Sequence, residues 1–172
     1  MSYSIFTGNL EREDRLTEQN TKSFLGTINT YQMPKGTILW RFVSLQSRKL
    51  FSDCWVDPQT MSQIMNTLHL NGNFTLEYKR WAIRNSLAIL DDWSSVNWRV
   101  QIELMKPVIA HVGFAAAQKG YKETNRQFAF AGGQVHKLDD SKPSGLTQHI
   151  IPRFKGLDDN NDFARVLSKV HI

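Results

Sequence analysis

Apolar and polar positions alternate most cleanly over Asn97 to Leu104, where Trp98, Val100, Ile102 and Leu104 fall on one side. A period of two over that length predicts a half-buried strand. The run Lys106 to Gly113 continues in extended form past Pro107, and a proline there suggests a bulge or a sheet edge. Earlier, a turn signal at Met33–Pro34–Lys35–Gly36 launches Thr37 to Val43, whose β-branched and aromatic residues predict another strand. A second short extended piece covers Phe51 to Val56 and ends at Asp57–Pro58. From Pro58 to Leu70 the period changes to that of a helix: Met61, Ile64, Met65 and Leu68 make one apolar stripe, which reads as core. Gln127 to Leu138 and Leu146 to Phe154 read as two further strands joined by the polar loop 139–145. Phe163 to Ile172 packs back as a strand or short helix. Phe74 to Leu90 carries a mixed pattern that selects neither helix nor strand.

These elements predict an α+β single domain, mostly strands, with its short helices chiefly in the first half. Glu11, Arg12, Glu13, Asp14, Arg15 and Glu18 leave little apolar surface near the start. Residues 1–30 are therefore expected as a loosely ordered polar leader, and 31–172 as a single catalytic-type domain. With 172 residues, 41% apolar and 22% charged, the chain has material for one globular core. Its longest apolar runs fall far short of the ~20 residues a bilayer span requires. The start of the chain has no basic stretch leading into an apolar one, so the sequence points to a cytoplasmic protein or one delivered by a route independent of a signal peptide.

A net charge of +5 invites a nucleic-acid reading, but the basic clusters are no longer than Lys79–Arg80 and Arg48–Lys49. That signal is weak: a mildly basic solvated surface is the main reading of the charge, and a site for a small phosphorylated anion is the other. Cys54 is the single cysteine, which excludes an internal disulfide and a thiolate metal cluster. The histidines, at 69, 111, 136, 149 and 171, lack metal-ligand spacing, so no metal is expected. P-loop, dinucleotide-binding and nucleophile-elbow motifs are absent. One residue breaks the pattern of its surroundings: Arg41 stands inside Leu39–Trp40–Arg41–Phe42. A guanidinium in an apolar strand is costly unless it faces outward or meets a fixed anion, for which a phosphate is a good bidentate partner.

The succession Ile38–Leu39–Trp40–Arg41–Phe42, Arg84–Asn85–Ser86–Leu87–Ala88–Ile89, Lys106–Pro107–Val108 through Gly113 to Gln118, and a late Gly-Gly and Gln hairpin resembles ADP-ribosyltransferase-fold toxin domains. These include NAD glycohydrolase toxins of the tuberculosis necrotizing type and the C-terminal domains of bacterial polymorphic toxins. The resemblance covers residues 36–155 and rests on the order of the motifs. It implies a split β-sandwich that consumes NAD+, as glycohydrolase or mono-ADP-ribosyltransferase, in a toxin or effector. Arg41 would then grip the pyrophosphate or nicotinamide ribose, with Phe42 beside it, and Arg84 or Ser86 would support the nicotinamide pocket. The residue fixing the ribose as the glycosidic bond breaks would be Gln134 or Gln148. Neither glutamine has a carboxylate two residues on, which departs from the arginine-directed transferase pattern and makes water a natural acceptor. Trp40, Phe42, Tyr121 and Phe130 are aromatic candidates for stacking on nicotinamide. The implied partners are NAD+, a protein acceptor and an immunity or inhibitor protein, with no membrane and no metal. A different class also fits the composition: a non-enzymatic basic module binding RNA or another anionic partner.

Overall fold

The computed structural model describes residues 3–43, 50–70, 98–115, 127–129, 135–137 and 146–171, with backbone alone for 67–70, 127–129 and 135–137. Among them lie ten strands: β1 (Ser4–Ile5), β2 (Phe24–Met33), β3 (Ile38–Val43), β4 (Cys54–Trp55), β5 (Trp98–Leu104), β6 (Val108–Ala115), β7 (Gln127–Ala129), β8 (Val135–Lys137), β9 (Thr147–Ile150) and β10 (Ala164–His171). Two α-helices, α1 (Glu18–Lys22) and α2 (Pro58–Leu70), and two single 3-10 turns at Arg12–Asp14 and Pro152–Phe154 complete the set.

The strands form a five-stranded sheet in the order β1-β2-β6-β9-β4, a three-stranded sheet β10-β5-β3 and the β7–β8 hairpin. Every pairing is antiparallel. A bridge between Trp40 and Val56, with N···O distances of 2.8 and 2.9 Å, joins β3 to the β4 segment and so links the two larger sheets. Met33, Leu39, Trp55, Val100, Ile102 and Phe154 belong to the main apolar core. A smaller cluster of Phe42, Val56, Met61 and Ile64 seats α2 against β3.

The helix forms where its cap and its stripe agree. Asp57 Oδ1 accepts from Thr60 N at 2.8 Å, Pro58 opens the first turn, and Met61 and Ile64 supply the buried face. The alternation over Trp98–Leu104 likewise becomes β5, with Val100, Ile102 and Leu104 fully enclosed. Pro107 has another role than the bulge or edge expected of it. It lies in the connection between β5, centre of the three-stranded sheet, and β6, which is paired on both sides in the five-stranded one. A residue without an N–H sits where the chain changes sheets and no ladder bond is asked of it. The stretch expected as one strand over 127–138 is two short strands paired as a hairpin. Leu146 to Phe154 ends its strand at Ile150 and turns through Pro152–Phe154.

The first thirty residues depart most from expectation. Within 1–30, the span expected as a loosely ordered leader, lie β1, a turn, α1 and most of β2. Arg153 clasps this region with a two-pronged ion pair to Asp14, both contacts 3.0 Å, and a 2.8 Å contact to Glu11. His111 of β6 adds a second clasp. Its Nε2 lies 2.7 Å from the Asp14 carbonyl, which can only accept, so Nε2 donates, and Nδ1 is hydrogen-bonded to Thr30 Oγ1 at 3.0 Å.

Candidate functional site

Strand β3 fixes the side on which Arg41 stands. Leu39 and Val43, two residues before and after it, belong to the main core, whereas Phe42 belongs to the cluster under α2. Because neighbouring residues of a strand point to opposite faces, Arg41 is on the core side and Phe42 on the other. The two do not line one surface. The Arg41 guanidinium donates from Nη1 to the Leu50 carbonyl at 2.7 Å and has no ion-pair partner among the described residues. Burial lowers its pKa from the ordinary arginine value, while nearby Cys54 and Asp53 oppose that shift. Arginine remains charged in this setting. Among the described residues the result is a desolvated cation tied to one neutral acceptor, an arrangement that favours an anion able to reach it.

Cys54 of β4 is the residue that Arg41 and Gln148 share as a neighbour. Its Sγ lies 3.7 Å from Gln148 Oε1, and the Arg41 charge acts on it. Burial, then the charge of Asp53, pushes the thiol up to about 12 against the pull of Arg41. It stays protonated at neutral pH and donates to the carboxamide; it is not a thiolate nucleophile. Gln148 is itself buried, and its Nε2 donates to the Ser23 carbonyl at 2.8 Å and contacts Ser23 Oγ at 3.2 Å. The carboxamide thus joins β9 and β4 to the end of α1. Asp53 completes that side: Oδ2 accepts from Asn20 at 3.1 Å and Oδ1 from Ser52 Oγ at 3.1 Å.

One residue further along β9, His149 points the opposite way. It is 1% exposed and neither ring nitrogen has a hydrogen-bond partner among the described residues. Tyr3 stacks edge-on against it at 5.7 Å and also meets Tyr31 at 6.0 Å. Burial lowers the His149 pKa to about 4, with Asp57 opposing, so the ring is neutral at pH 7. Burial and the same Asp57 raise Tyr3 to about 12. No sequence spacing marks His149; only the packing of Tyr3 over β9 reveals it.

Arg41 and Gln148 are therefore brought near one another through Cys54, on separate strands, and Phe42 is turned away. Gln134, Arg84, Ser86, Tyr121 and Phe130 lie outside the described residues. Trp40, expected as a stacking candidate, is half-buried and already covered on one face by the Arg99 guanidinium, 4.9 Å from the ring centre. Among the described residues there is no group of three or more His, Cys, Asp or Glu side chains able to hold a metal ion. No helix among them is long and apolar enough to cross a membrane.

No protein-family model matches the chain, and no curated protein matches it either. Among solved structures it is similar to one described as Rhs1-CT in complex with its cognate immunity protein RhsI1. The TM-score is 0.48 at 12% sequence identity, covering 87% of this chain and 84% of that one.

Proposed function

We propose that this chain is an NAD+-consuming domain of the ADP-ribosyltransferase type, cleaving the nicotinamide–ribose bond by hydrolysis or mono-ADP-ribosyl transfer, and that it serves as a toxin or effector. The observation that supports this reading is the Arg41 guanidinium, held on the core side of β3 with a single backbone carbonyl as its acceptor among the described residues. A pyrophosphate offers the paired anionic oxygens that such a fork matches.

The chemistry asks little more of the protein than placement. Nicotinamide leaves as a neutral molecule from a cationic ring and needs no general acid, so the work consists of holding the dinucleotide in place and stabilising the ribosyl cation. A carboxamide suits the ribose hydroxyls, and the two candidates stand differently. Gln148 would have to release Ser23 before it could meet a ribose, and Gln134, the other candidate, lies outside the described residues. With no second carboxylate two residues after either glutamine, water is the favoured acceptor. A cell making such an enzyme would need a protein that neutralises it, and an immunity protein is the partner proposed.

The test is incubation of the purified chain with NAD+ and quantification of free nicotinamide. Release is expected from the wild type, falling by ~100-fold or more in Arg41→Ala. Comparison of Gln134→Ala with Gln148→Ala then identifies the ribose contact. Intact NAD+ after prolonged incubation, with no labelled acceptor protein, would end the proposal.

A further inference from the structure

A second arginine occupies the opposite face of the same sheet. In the β3–β5 register Arg41 pairs with Val100 and Phe42 with Arg99, so Arg99 shares the face that carries Phe42 and the α2 cluster. Its guanidinium lies over the Trp40 ring at 4.9 Å, and its Nη1 meets the thioether of Met65 on α2 at 3.6 Å. Its Nε is enclosed and has no hydrogen-bond partner among the described residues. Among the described residues it has no carboxylate. Glu103, two turns of the pleat away on the same face, is engaged with Arg165 at 2.8 Å.

This is an expensive arrangement to leave without a ligand. Arg99 as a whole is half-buried, but a sulfur atom is a weak acceptor, and an enclosed donor on a charged group is unfavourable without a partner. The stacked indole holds the fork flat and lowers its hydration, which favours a planar or tetrahedral oxyanion over a water molecule.

We infer that Arg99, flanked by Trp40 and Met65, is an anion-binding site on the α2 face of the three-stranded sheet, taking the oxyanion group of a small ligand. A modest rotation of the guanidinium away from Met65 would present Nε and Nη together to two oxygens of that group, while Trp40 and Met65 form an apolar wall for the adjoining part of the ligand. Phosphate and carboxylate share this chemistry. The site is separated from Arg41 by the sheet itself and stands whether or not NAD+ is the substrate.

The Arg99 side chain can be observed directly. On the full chain, nitrogen-15 spectra would record the Nε–Hε resonance, assigned by its loss in Arg99→Lys, during titration with inorganic pyrophosphate, ADP or succinate at constant ionic strength. The expected result is a saturable shift with at least one of these probes. Pyrophosphate or ADP acting alone identifies a phosphate ligand, and succinate acting as well identifies oxyanions in general. Arg99→Lys keeps the charge but not the fork, and should weaken binding ~10-fold or more by calorimetry. Arg41→Ala, which removes the pyrophosphate contact proposed at that residue, should leave the shift of the Arg99 resonance unchanged, and the calorimetric comparison with Arg99→Lys is made in that background. An Arg99 resonance that none of the three probes moves would overturn the inference, as would binding that persists undiminished in Arg99→Lys. Saturable binding at Arg99 without nicotinamide release would support this site while refuting the proposed activity.

Discussion

His149 should make the folding stability of this protein pH-dependent in a defined window. The ring is enclosed, neither nitrogen is paired among the described residues, and its pKa falls from 6.5 to about 4 in the folded chain. On acidification the unfolded chain takes up a proton on this residue first. Stability conferred by the neutral ring is complete above about pH 6.5, declines as the pH falls toward 4, and changes no further below that. At ~1.4 kcal/mol per pH unit the full effect is on the order of 3–4 kcal/mol, most of it lost by pH 4.5. Urea unfolding at a series of pH values between 7.5 and 4.5, for the wild type and His149→Leu, isolates the contribution from other titrating groups. The wild type should lose roughly 2–3 kcal/mol more than the variant over that range. At pH 7.5 the variant should be as stable as the wild type or more so, because leucine removes two unpaired polar atoms from the interior. Parallel losses in the two proteins would refute the reasoning and mean that the ring is paired or reached by solvent in solution.

Arg153→Ala would leave the Asp14 carboxylate, only 7% exposed, without its two-pronged partner. It should cost about 3 kcal/mol by thermal or denaturant unfolding and speed proteolytic cleavage within residues 8–23. Gly113→Ala brings a Cβ to 2.9 Å from Phe24 Cδ1 and 3.0 Å from the Thr27 carbonyl, so a loss of ~1–3 kcal/mol in the same assay is expected. Asp57→Ala removes the cap of α2, with an expected loss of about 1 kcal/mol. It should also shift the His149 titration downward, since Asp57 favours the protonated ring; histidine proton shifts would follow this.

The elements legible in the chain are those whose local signals and tertiary surroundings coincide. Asp57–Pro58 and the Met61–Ile64 stripe state the start and the face of α2, and the alternation from Trp98 matches a strand with one enclosed side. Strand β2 gives no such signal, because from Leu25 to Gln32 it is exposed or half-buried and needs no apolar period. The acidic run near the start read as solvated, yet Asp14 is enclosed by a partner 139 positions away. That pairing cannot be read from composition. At the candidate site, the sequence singled out Arg41 because a charge interrupts an apolar strand. It did not reveal that Phe42 faces away, that the Gln148 carboxamide is engaged by Ser23, or that Arg99 lies beneath α2. Those are properties of strand direction and of which layer covers each face.

The most direct measurement is a crystal structure of the protein soaked with a non-hydrolysable NAD+ analogue. The pyrophosphate should be seated on the Arg41 guanidinium, with the carboxamide of Gln134 or Gln148 at the nicotinamide ribose. An analogue found elsewhere, with Arg41 still bound to the Leu50 carbonyl and no phosphate near it, would contradict the account.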